Sequence, residues 1–354
     1  MSAPEIRIDQ LTGMRAILAP GRAERPEGFA PAKHPPKGPE GCPFCEGHED
    51  RTPPELWAGR APGGAENGPG WSARAIPNLY PGLAGEAGGS ERDGGGEGGG
   101  APAAFTAPAD PLAASRRAGE VDLFSARPAI GAHEVIVNAP EHATSMAELD
   151  EGRFAGAVAA WRQRMRAHAG AAYVQLILNE GGGAGASLEH THAQLYALPF
   201  VPPAVARERE RIGAYRERTA GGSLLSDVVA EEVRRRERLV AIDEDAALIC
   251  PWASRSPFEL RVVPRGEAAR FEEDGAGTAM IQTALRALSA RFGGPPELNL
   301  WVRTAPRGTD HFHWHVDIAP RLTVRAGFEL GTGVDINVYP PERAAAGLRE
   351  AIGS

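Results

Sequence analysis

The residues best placed to do chemistry lie between Asn179 and Pro199, in the run N-E-G-G-G-A-G-A-S-L-E-H-T-H-A-Q-L-Y-A-L-P. His190, His192 and Gln194 alternate there, and Gly181, Gly182, Gly183 and Gly185 stand just ahead of them. Apolar residues from Tyr173 to Leu178 lead in and a second apolar run follows, which predicts strand, tight loop, strand. On a strand, side chains at i, i+2 and i+4 share one face. His190, His192 and Gln194 are therefore expected to project together beside a loop rich in free N–H groups, and such a loop can cradle a phosphate. A lone histidine on a strand is usually a satisfied polar residue; two at i, i+2 beside a glycine loop are less easily dismissed. No Gly-Lys-Ser/Thr follows, so the loop is not a Walker P-loop, and the strand after it departs from a dinucleotide fingerprint.

Two other groups have the residue types of a site. Cys42-Pro-Phe-Cys45 is either a redox pair or half of a tetrahedral zinc site. The thioredoxin-like context that a redox pair needs is missing from the pattern, and the chain offers spare histidines, among them His48, so zinc is favoured. Near the C-terminus, His311-Phe-His313-Trp-His315-Val-Asp317 repeats the alternation. Aligning His190 with His313 places His192 on His315 and Gln194 on Asp317. Arg22 and Arg25, three apart on a turn, are either surface charge or a grip on an anion. Cys250, in an apolar run, reads as core.

These residues must be positioned by ordinary elements. Ile6 to Pro20 alternates weakly and predicts an opening strand. Glu134 to Asn138 predicts another, and Ser145-Met-Ala-Glu148 reads as a capping box that opens a helix running to about His168, with Trp161 and Met165 facing the sheet. Ala204 to Arg218 and Ser223 to Arg238 are charged helical segments. After Leu239 the plan repeats: strands at Leu248–Cys250 and Phe258–Pro264, a helix over Thr278–Phe292 closed by Gly293-Gly294, then a strand at Leu298–Val302. Two passes through strand, helix, strand and histidines argue for an internal duplication. Between about 82 and 120 the chain turns glycine-rich, with G-G-G-E-G-G-G at 94–100, and too apolar-poor to offset its ordering entropy. It is expected to be a disordered insertion within a domain.

Composition sets outer bounds. The 354 residues, 42% of them hydrophobic, suffice for a buried core in one large or two ordinary domains. A net charge of −8 argues against a sequence-independent nucleic-acid binder. Three cysteines do not make a disulfide framework. The chain shows neither a signal-like apolar core at its start nor an apolar run of about 18 residues, so a soluble, cytoplasmic protein that engages no membrane is expected.

Several motifs together resemble one family. Arg22-x-x-Arg25-Pro26, Cys42-Pro-Phe-Cys45, Asn179 eleven residues before His190, His-x-His-x-Gln, His313-Trp-His315 and Ala326-Gly-Phe-Glu329 follow the order and spacing of galactose-1-phosphate uridylyltransferases and ADP-glucose phosphorylases, a branch of the histidine-triad superfamily. The resemblance implies an α+β fold of two duplicated histidine-triad-like halves, each an antiparallel sheet with a packed helix, related by a pseudo-twofold axis. The halves would span 1–200 and 237–354, joined by a charged helical connection at 201–236. It implies a structural zinc on Cys42, Cys45, His142 and His190, with His142 placed by the Asn138-Ala-Pro-Glu-His142 segment. His192 resembles the nucleophile and Gln194 its partner. Arg22, Arg25, Asn78, Asn179 and Ser187 resemble nucleotide or phosphate contacts, and Phe328, Glu329 and Asp335 fall where the family touches the sugar. His311, His313 and His315, with Glu208 as carboxylate ligand, resemble a second metal site that parts of the family lack. The implied activity moves a nucleoside monophosphate between a nucleotide sugar and a hexose 1-phosphate through a nucleotidyl-histidine, as in UDP-glucose–hexose-1-phosphate uridylyl transfer. Alternatives are ADP-glucose phosphorolysis or nucleotide-sugar hydrolysis on the same histidine, with phosphate or water as acceptor, or a non-enzymatic zinc-stabilised binding protein. The resemblance leaves room for a homodimer. Glu189, Thr191 and Ala193 depart from the uridylyltransferase pattern of prolines and glycine around the histidines, and the tail from Gly327 to Asn337 looks closer to the ADP-glucose phosphorylase branch.

Overall fold

The computed structural model describes residues 5–18, 38–83 and 129–353. Its elements in chain order are β1 (Glu5–Ile8), β2 (Arg15–Leu18), β3 (Trp57–Arg60), β4 (Trp71–Pro77), β5 (Ala132–Val137), α1 (Glu151–Ala167), β6 (Tyr173–Glu180), β7 (His192–Leu198), α2 (Pro203–Arg218) and α3 (Leu224–Arg235). They continue with β8 (Leu239–Ile242), β9 (Ala246–Ile249), β10 (Leu260–Pro264), α4 (Thr278–Phe292), β11 (Leu298–Arg303), β12 (His315–Pro320), α5 (Gly327–Thr332), β13 (Asp335–Asn337) and α6 (Pro341–Gly353).

Ten strands form one sheet in the order β3-β4-β5-β7-β6-β11-β12-β10-β9-β8, and each neighbouring pair is antiparallel. Five strands from before α2 and five from after α3 meet at the β6–β11 pair, where Asn179 faces Asn299. A smaller sheet of order β1-β2-β13 ties the start of the chain to its end. The protein is thus a mixed α+β fold built on a large antiparallel sheet.

Alternation assigns the faces. Leu176, Leu178, Ala193, Leu195, Leu248, Val262, Leu298 and Leu300 point to one side and pack with α1, α4 and α6 into the principal core. In α1 that contact comes from Phe154, Ala157, Val158, Trp161 and Met165, a stripe with helical spacing. Trp161 is wholly buried, so truncating it to alanine should cost about 3 to 5 kcal/mol. The opposite face is covered at its two ends by different pieces. Phe44, from the Cys42–Cys45 loop, packs on Ile76, Val135 and Val137. Residues of α2 and α3, with Leu11, pack on Ala247 and Val263. Between these covers the ladder leaves a polar strip: register places Gln194 beside Ile177, Ile177 beside Trp301, Trp301 beside Asp317, and Asp317 beside Arg261 on this one face.

Several expectations need correction. The opening strand is two strands, because Asp9 caps a turn by accepting from Thr12 N and Thr12 Oγ1. Ser145 caps only a short 3-10 turn, Met146–Glu148; Glu148 bonds Thr144 rather than Ser145, and α1 starts with Asp150 as its cap. Asp150 wins because its carboxylate accepts from Arg153 N in the geometry an N-cap requires. His190 and His313 precede their strands rather than belonging to them. Helix α4 spans Thr278–Phe292 and closes on Gly293 at φ 68°, a left-handed turn glycine adopts freely. The glycine-rich insertion, save Gly82 and Leu83, and both Arg22 and Arg25 lie outside the described residues. No helix among the described residues is long and apolar enough to cross a membrane.

Candidate active site and metal centre

The Cys42–Cys45 turn, the segment after β5 and the segment before β7 converge. The ligand atoms of Cys42, Cys45, His142 and His190 all lie within 4.8 Å of one another. His190 Nδ1 is 3.6 Å from both thiol sulfurs, and His142 Nδ1 is 3.4 Å from that of Cys45. The far side of His190 is already committed, since Nε2 donates to Ala139 O at 2.8 Å, which leaves Nδ1 as the free lone pair. That outer contact is the kind that fixes a metal-binding tautomer. Burial and the neighbouring Cys42 push the Cys45 thiol up to about 11, as expected of paired sulfurs facing each other without a counter-charge. Two thiols and two imidazoles at this spacing form a four-ligand donor set that could hold a metal ion, the ligand types that suit tetrahedral zinc. His48, the spare candidate, instead bonds Cys42 O at 2.6 Å through Nδ1 and stays out of the cluster.

His192 opens β7 next to this cluster. It is buried, with Phe44 edge-on at 5.2 Å between centroids. Its Nδ1 donates to His190 O at 2.8 Å, so the proton belongs on Nδ1 and the Nε2 lone pair is left for chemistry. Burial holds its pKa below the ordinary histidine range, partly offset by that carbonyl, so the ring is neutral near pH 7. A buried neutral imidazole with one nitrogen fixed and the other free is a competent nucleophile.

Gln194 projects from the same face two residues on. Its Oε1 accepts from Tyr196 OH at 3.1 Å and lies 3.0 Å from His133 Nε2. Gly82 N–H donates to His133 Nδ1 at 3.0 Å, which assigns the ring proton to Nε2 and makes it a donor to Gln194. With both lone pairs of Oε1 used, the remaining hydrogen-bonding capacity of Gln194 is its amide N–H groups, which are donors. His133 and Tyr196 are stacked at 4.0 Å and belong to this group, although sequence reasoning gave neither a role. The signal was present: both stand on the site's strand face, at positions paired across β5 and β7. Asn78 stands beside them, its Oδ1 accepting from Tyr80 N at 2.8 Å.

Asn179 follows Leu178, whose ladder partner is Ala193, so it borders His192 on the polar face. Its Oδ1 accepts from Asn299 Nδ2 at 2.8 Å, and the same Asn299 amide donates to Ala184 O in the glycine loop. One asparagine of β11 thereby ties β6 to the loop, another contact that sequence reasoning missed. Ser187 is exposed on that loop. Beyond Asn299 opens a cleft of about 230 Å³ that also reaches Trp301, Arg255, Arg321, Glu329 and Asp335. Glu329 and Asp335 thus stand on the side of the polar strip away from the cysteines, with Asp335 paired to Arg325 at 2.8 Å. Phe328 is half exposed on α5 beside them.

The four residues expected at a second metal do not converge. His315 Nε2 lies 3.6 Å from Glu208 Oε1, but His313 is turned the other way, with Nε2 on Pro264 O at 2.9 Å and Nδ1 3.4 Å from Ser226 Oγ. His311 is exposed. Arginines occupy the region instead: Arg303 is 3.7 Å from Glu208, and Arg261 holds Asp317 at 2.6 Å. Among the described residues, the Cys42, Cys45, His142 and His190 group is the one gathered for a metal.

With this geometry in hand, the chain can be set beside known proteins. A family described as galactose-1-phosphate uridyl transferase, N-terminal domain, matches residues 104–202, the span that holds β5, α1, β6, the glycine loop and β7. An ADP-glucose phosphorylase of Arabidopsis thaliana is 29% identical over 366 residues, covering 98% of this chain and 93% of its own length. A galactose-1-phosphate uridylyltransferase of Cryptococcus neoformans is 27% identical over 271 residues, 69% of this chain and 71% of its own. The crystal structure of an Arabidopsis thaliana ADP-glucose phosphorylase with bound ADP-glucose superposes with a TM-score of 0.75 at 26% identity, covering 98% of this chain and 99% of that one.

Proposed function

We propose, for a chain similar to ADP-glucose phosphorylases and galactose-1-phosphate uridylyltransferases, that His192 takes a nucleoside monophosphate from a nucleotide sugar and passes it to an acceptor phosphate. The observation that carries the reading is the state of His192: Nδ1–H bound to His190 O, Nε2 free, and the amide of Gln194 on the same face. In the first step Nε2 attacks the α-phosphorus, an N–P bond forms, and the P–O bond to the sugar phosphate breaks with its electron pair leaving on oxygen. The imidazolium that results keeps its proton on Nδ1, where the His190 carbonyl stabilises the charge. In the second step an acceptor phosphate oxygen attacks phosphorus and the N–P bond breaks, returning His192 to its starting form. A sugar phosphate is a weakly basic leaving group, so no strong general acid is required. The Gln194 amide and N–H groups of the glycine loop would stabilise charge on the non-bridging oxygens.

Cys42, Cys45, His142 and His190 would hold a zinc ion, which with four protein ligands has a closed shell and serves structure rather than chemistry. In this reading His190 gives its lone pair to zinc, and His192 keeps the one that reacts. Arg22, Arg25, Asn78, Asn179 and Ser187 are the nucleotide or phosphate contacts, and Phe328, Glu329 and Asp335 those to the sugar. The two five-strand groups of the large sheet are read as duplicated halves.

Similarity along the full chain to an ADP-glucose phosphorylase favours inorganic phosphate as acceptor, with a nucleoside diphosphate as product. Uridylyl transfer to a hexose 1-phosphate is the second reading, supported by the uridylyltransferase relatives. Labelled ADP-glucose and UDP-glucose, each given with no acceptor, with phosphate or with galactose 1-phosphate, separate them. The expected result is an acid-labile, base-stable adduct on His192 that one acceptor discharges. Mapping of the nucleotide to any other residue would overturn the mechanism.

A further inference from the structure

Glu180 is the last residue of β6 and neighbours Asn179, yet it points to the other side of the sheet, opposite Leu298 in the principal core. A buried carboxylate is costly unless hydrogen bonds satisfy it. Here three donors converge on it. Oε2 accepts from Ser145 Oγ at 2.6 Å, and Oε1 accepts from Met146 N at 2.6 Å and from Thr191 Oγ1 at 3.2 Å. Ser145 and Met146 begin the 3-10 turn that follows His142 by three residues. Thr191 is the residue between His190 and His192. One carboxylate therefore touches both segments that deliver the candidate ligands and nucleophile.

Thr191 is held at every polar atom. Its N–H donates to Ala143 O at 2.8 Å, its carbonyl accepts from Asn138 N at 3.2 Å, and its hydroxyl accepts from Asn138 Nδ2 at 3.1 Å while donating to Glu180. Asn138 is fixed in turn by Trp161 Nε1 on α1, at 2.8 Å. The chain Trp161–Asn138–Thr191–Glu180–Ser145 crosses the buried side of the site from helix to turn, without reaching the polar face where substrate would lie.

We infer that Glu180 is a positioning residue: through Thr191 it fixes the main chain that carries His190 and His192, and through Ser145 and Met146 it anchors the segment after His142, so that the metal ligands and the nucleophile stay in register as one body. The inference rests on His192 being the nucleotidyl carrier. Its physical ground is that a displacement of about 1 Å at a reacting atom can cost on the order of 100-fold in rate. The burial of Glu180, which pushes its carboxyl up to about 7, is tolerated for that rigidity.

The test uses the zinc-loaded full chain and single-turnover labelling by ADP-glucose or UDP-glucose, whichever forms the adduct. Glu180→Ala should slow nucleotidylation of His192 by roughly 30- to 100-fold, with half-saturation for the nucleotide sugar changed no more than about threefold. Zinc release to a chelator should quicken by about tenfold. Glu180→Gln keeps one acceptor and the shape, and should restore most of both. Thr191→Val cuts the same tie from its other end and remains available if Glu180→Ala fails to fold. It should slow labelling likewise, and the double variant should be no worse than the poorer single one. The proposal is overturned if these variants lower the melting temperature but leave the labelling rate and zinc release of the folded protein unchanged, or if the loss lies in half-saturation alone. If the parent chain forms no adduct, the proposed function falls, while the zinc-release arm still judges the tie.

Discussion

His192 and His315 are set up alike. Each is the first residue of its strand, and each turns Nδ1 to the carbonyl two residues back, at 2.8 Å for His190 O and 3.3 Å for His313 O. The preceding histidine in each case gives Nε2 to a backbone carbonyl, Ala139 or Pro264. The backbone plan is shared, and the surroundings differ. Around the first pair stand two thiols, the ring of Phe44 and an amide two residues on. Around the second, His313 Nδ1 lies 3.4 Å from a serine of α3, and His315 Nε2 faces Glu208 and Asp317, each at 3.6 Å. Asp317 is locked to Arg261, and Arg303 stands by Glu208. At the first centre a neutral imidazole keeps a free nitrogen; at the second the corresponding nitrogen is enclosed by carboxylates whose charge arginines balance. One scaffold thus leaves an imidazole nitrogen open at one place and builds a buried ion network at the other, according to what covers each end of the sheet.

The largest effect that divides the two should appear in turnover. His192→Asn removes the proposed nucleophile while nearly preserving size and polarity, so turnover should fall by about three orders of magnitude or more with folding and metal content intact. His315→Asn should leave adduct formation within about tenfold of the parent and act through stability. Rapid-quench labelling with intact-mass readout compares them. Adduct formation in His192→Asn, or its loss in His315→Asn at normal affinity, would erase the distinction.

Much of this contrast was legible in the sequence, and the illegible part has a physical cause. His-x-His-x-Gln and Cys-x-x-Cys were readable because strand alternation and metal spacing are local rules, and the ligand atoms do converge. Helix α4 was readable to its ends because a helical stripe runs into two glycines. The second centre misled because its histidines share the same local rule, whereas the arginines that fill it are non-local: Arg261 comes from β10 and Arg303 from β11. The roles of His133, Asn299 and Glu180 were hidden for the same reason, since each is defined by a partner across a ladder or more than ten residues away in the chain. The start of α1 was misplaced because two capping signals, Ser145 and Asp150, lie five residues apart, and the second carries the longer helix.

Next in size is the effect on stability of removing what balances each centre. Cys42→Ser should lose about one bound metal per chain and several kcal/mol of stability, since a structural zinc shell is folding energy. Asp317→Asn removes the carboxylate that holds the buried Arg261 guanidinium and should cost about 3 to 5 kcal/mol without changing metal content. Metal analysis beside denaturant unfolding reads both. Metal loss in Asp317→Asn would mean that the second centre binds an ion after all, and an unchanged melt and metal content in Cys42→Ser would remove zinc from the first.

The smallest effect concerns acid. Burial holds His313 at about 4, with the Pro264 carbonyl offsetting part of the cost and His315 adding to it. The folded value lies below the ordinary 6.5, so the folded protein resists a proton that the unfolded chain accepts. The stability this residue contributes is therefore complete above pH 6.5 and drains away as pH falls from 6.5 toward 4. Ser226 Oγ and Pro264 O give the ring one weak and one firm partner, and the Gly266 backbone and then Asp274 also favour the charged form. His313→Gln keeps a polar side chain but removes the titration. Acid also strips the metal ligands, so the useful quantity is the difference between parent and variant, measured by urea unfolding at pH 7 and pH 5 with zinc in excess. The parent should lose roughly 1 to 2 kcal/mol more than His313→Gln over that interval. Equal losses would show that His313 is free to take a proton where it stands, and that its enclosure between β10 and α3 is looser than its contacts imply.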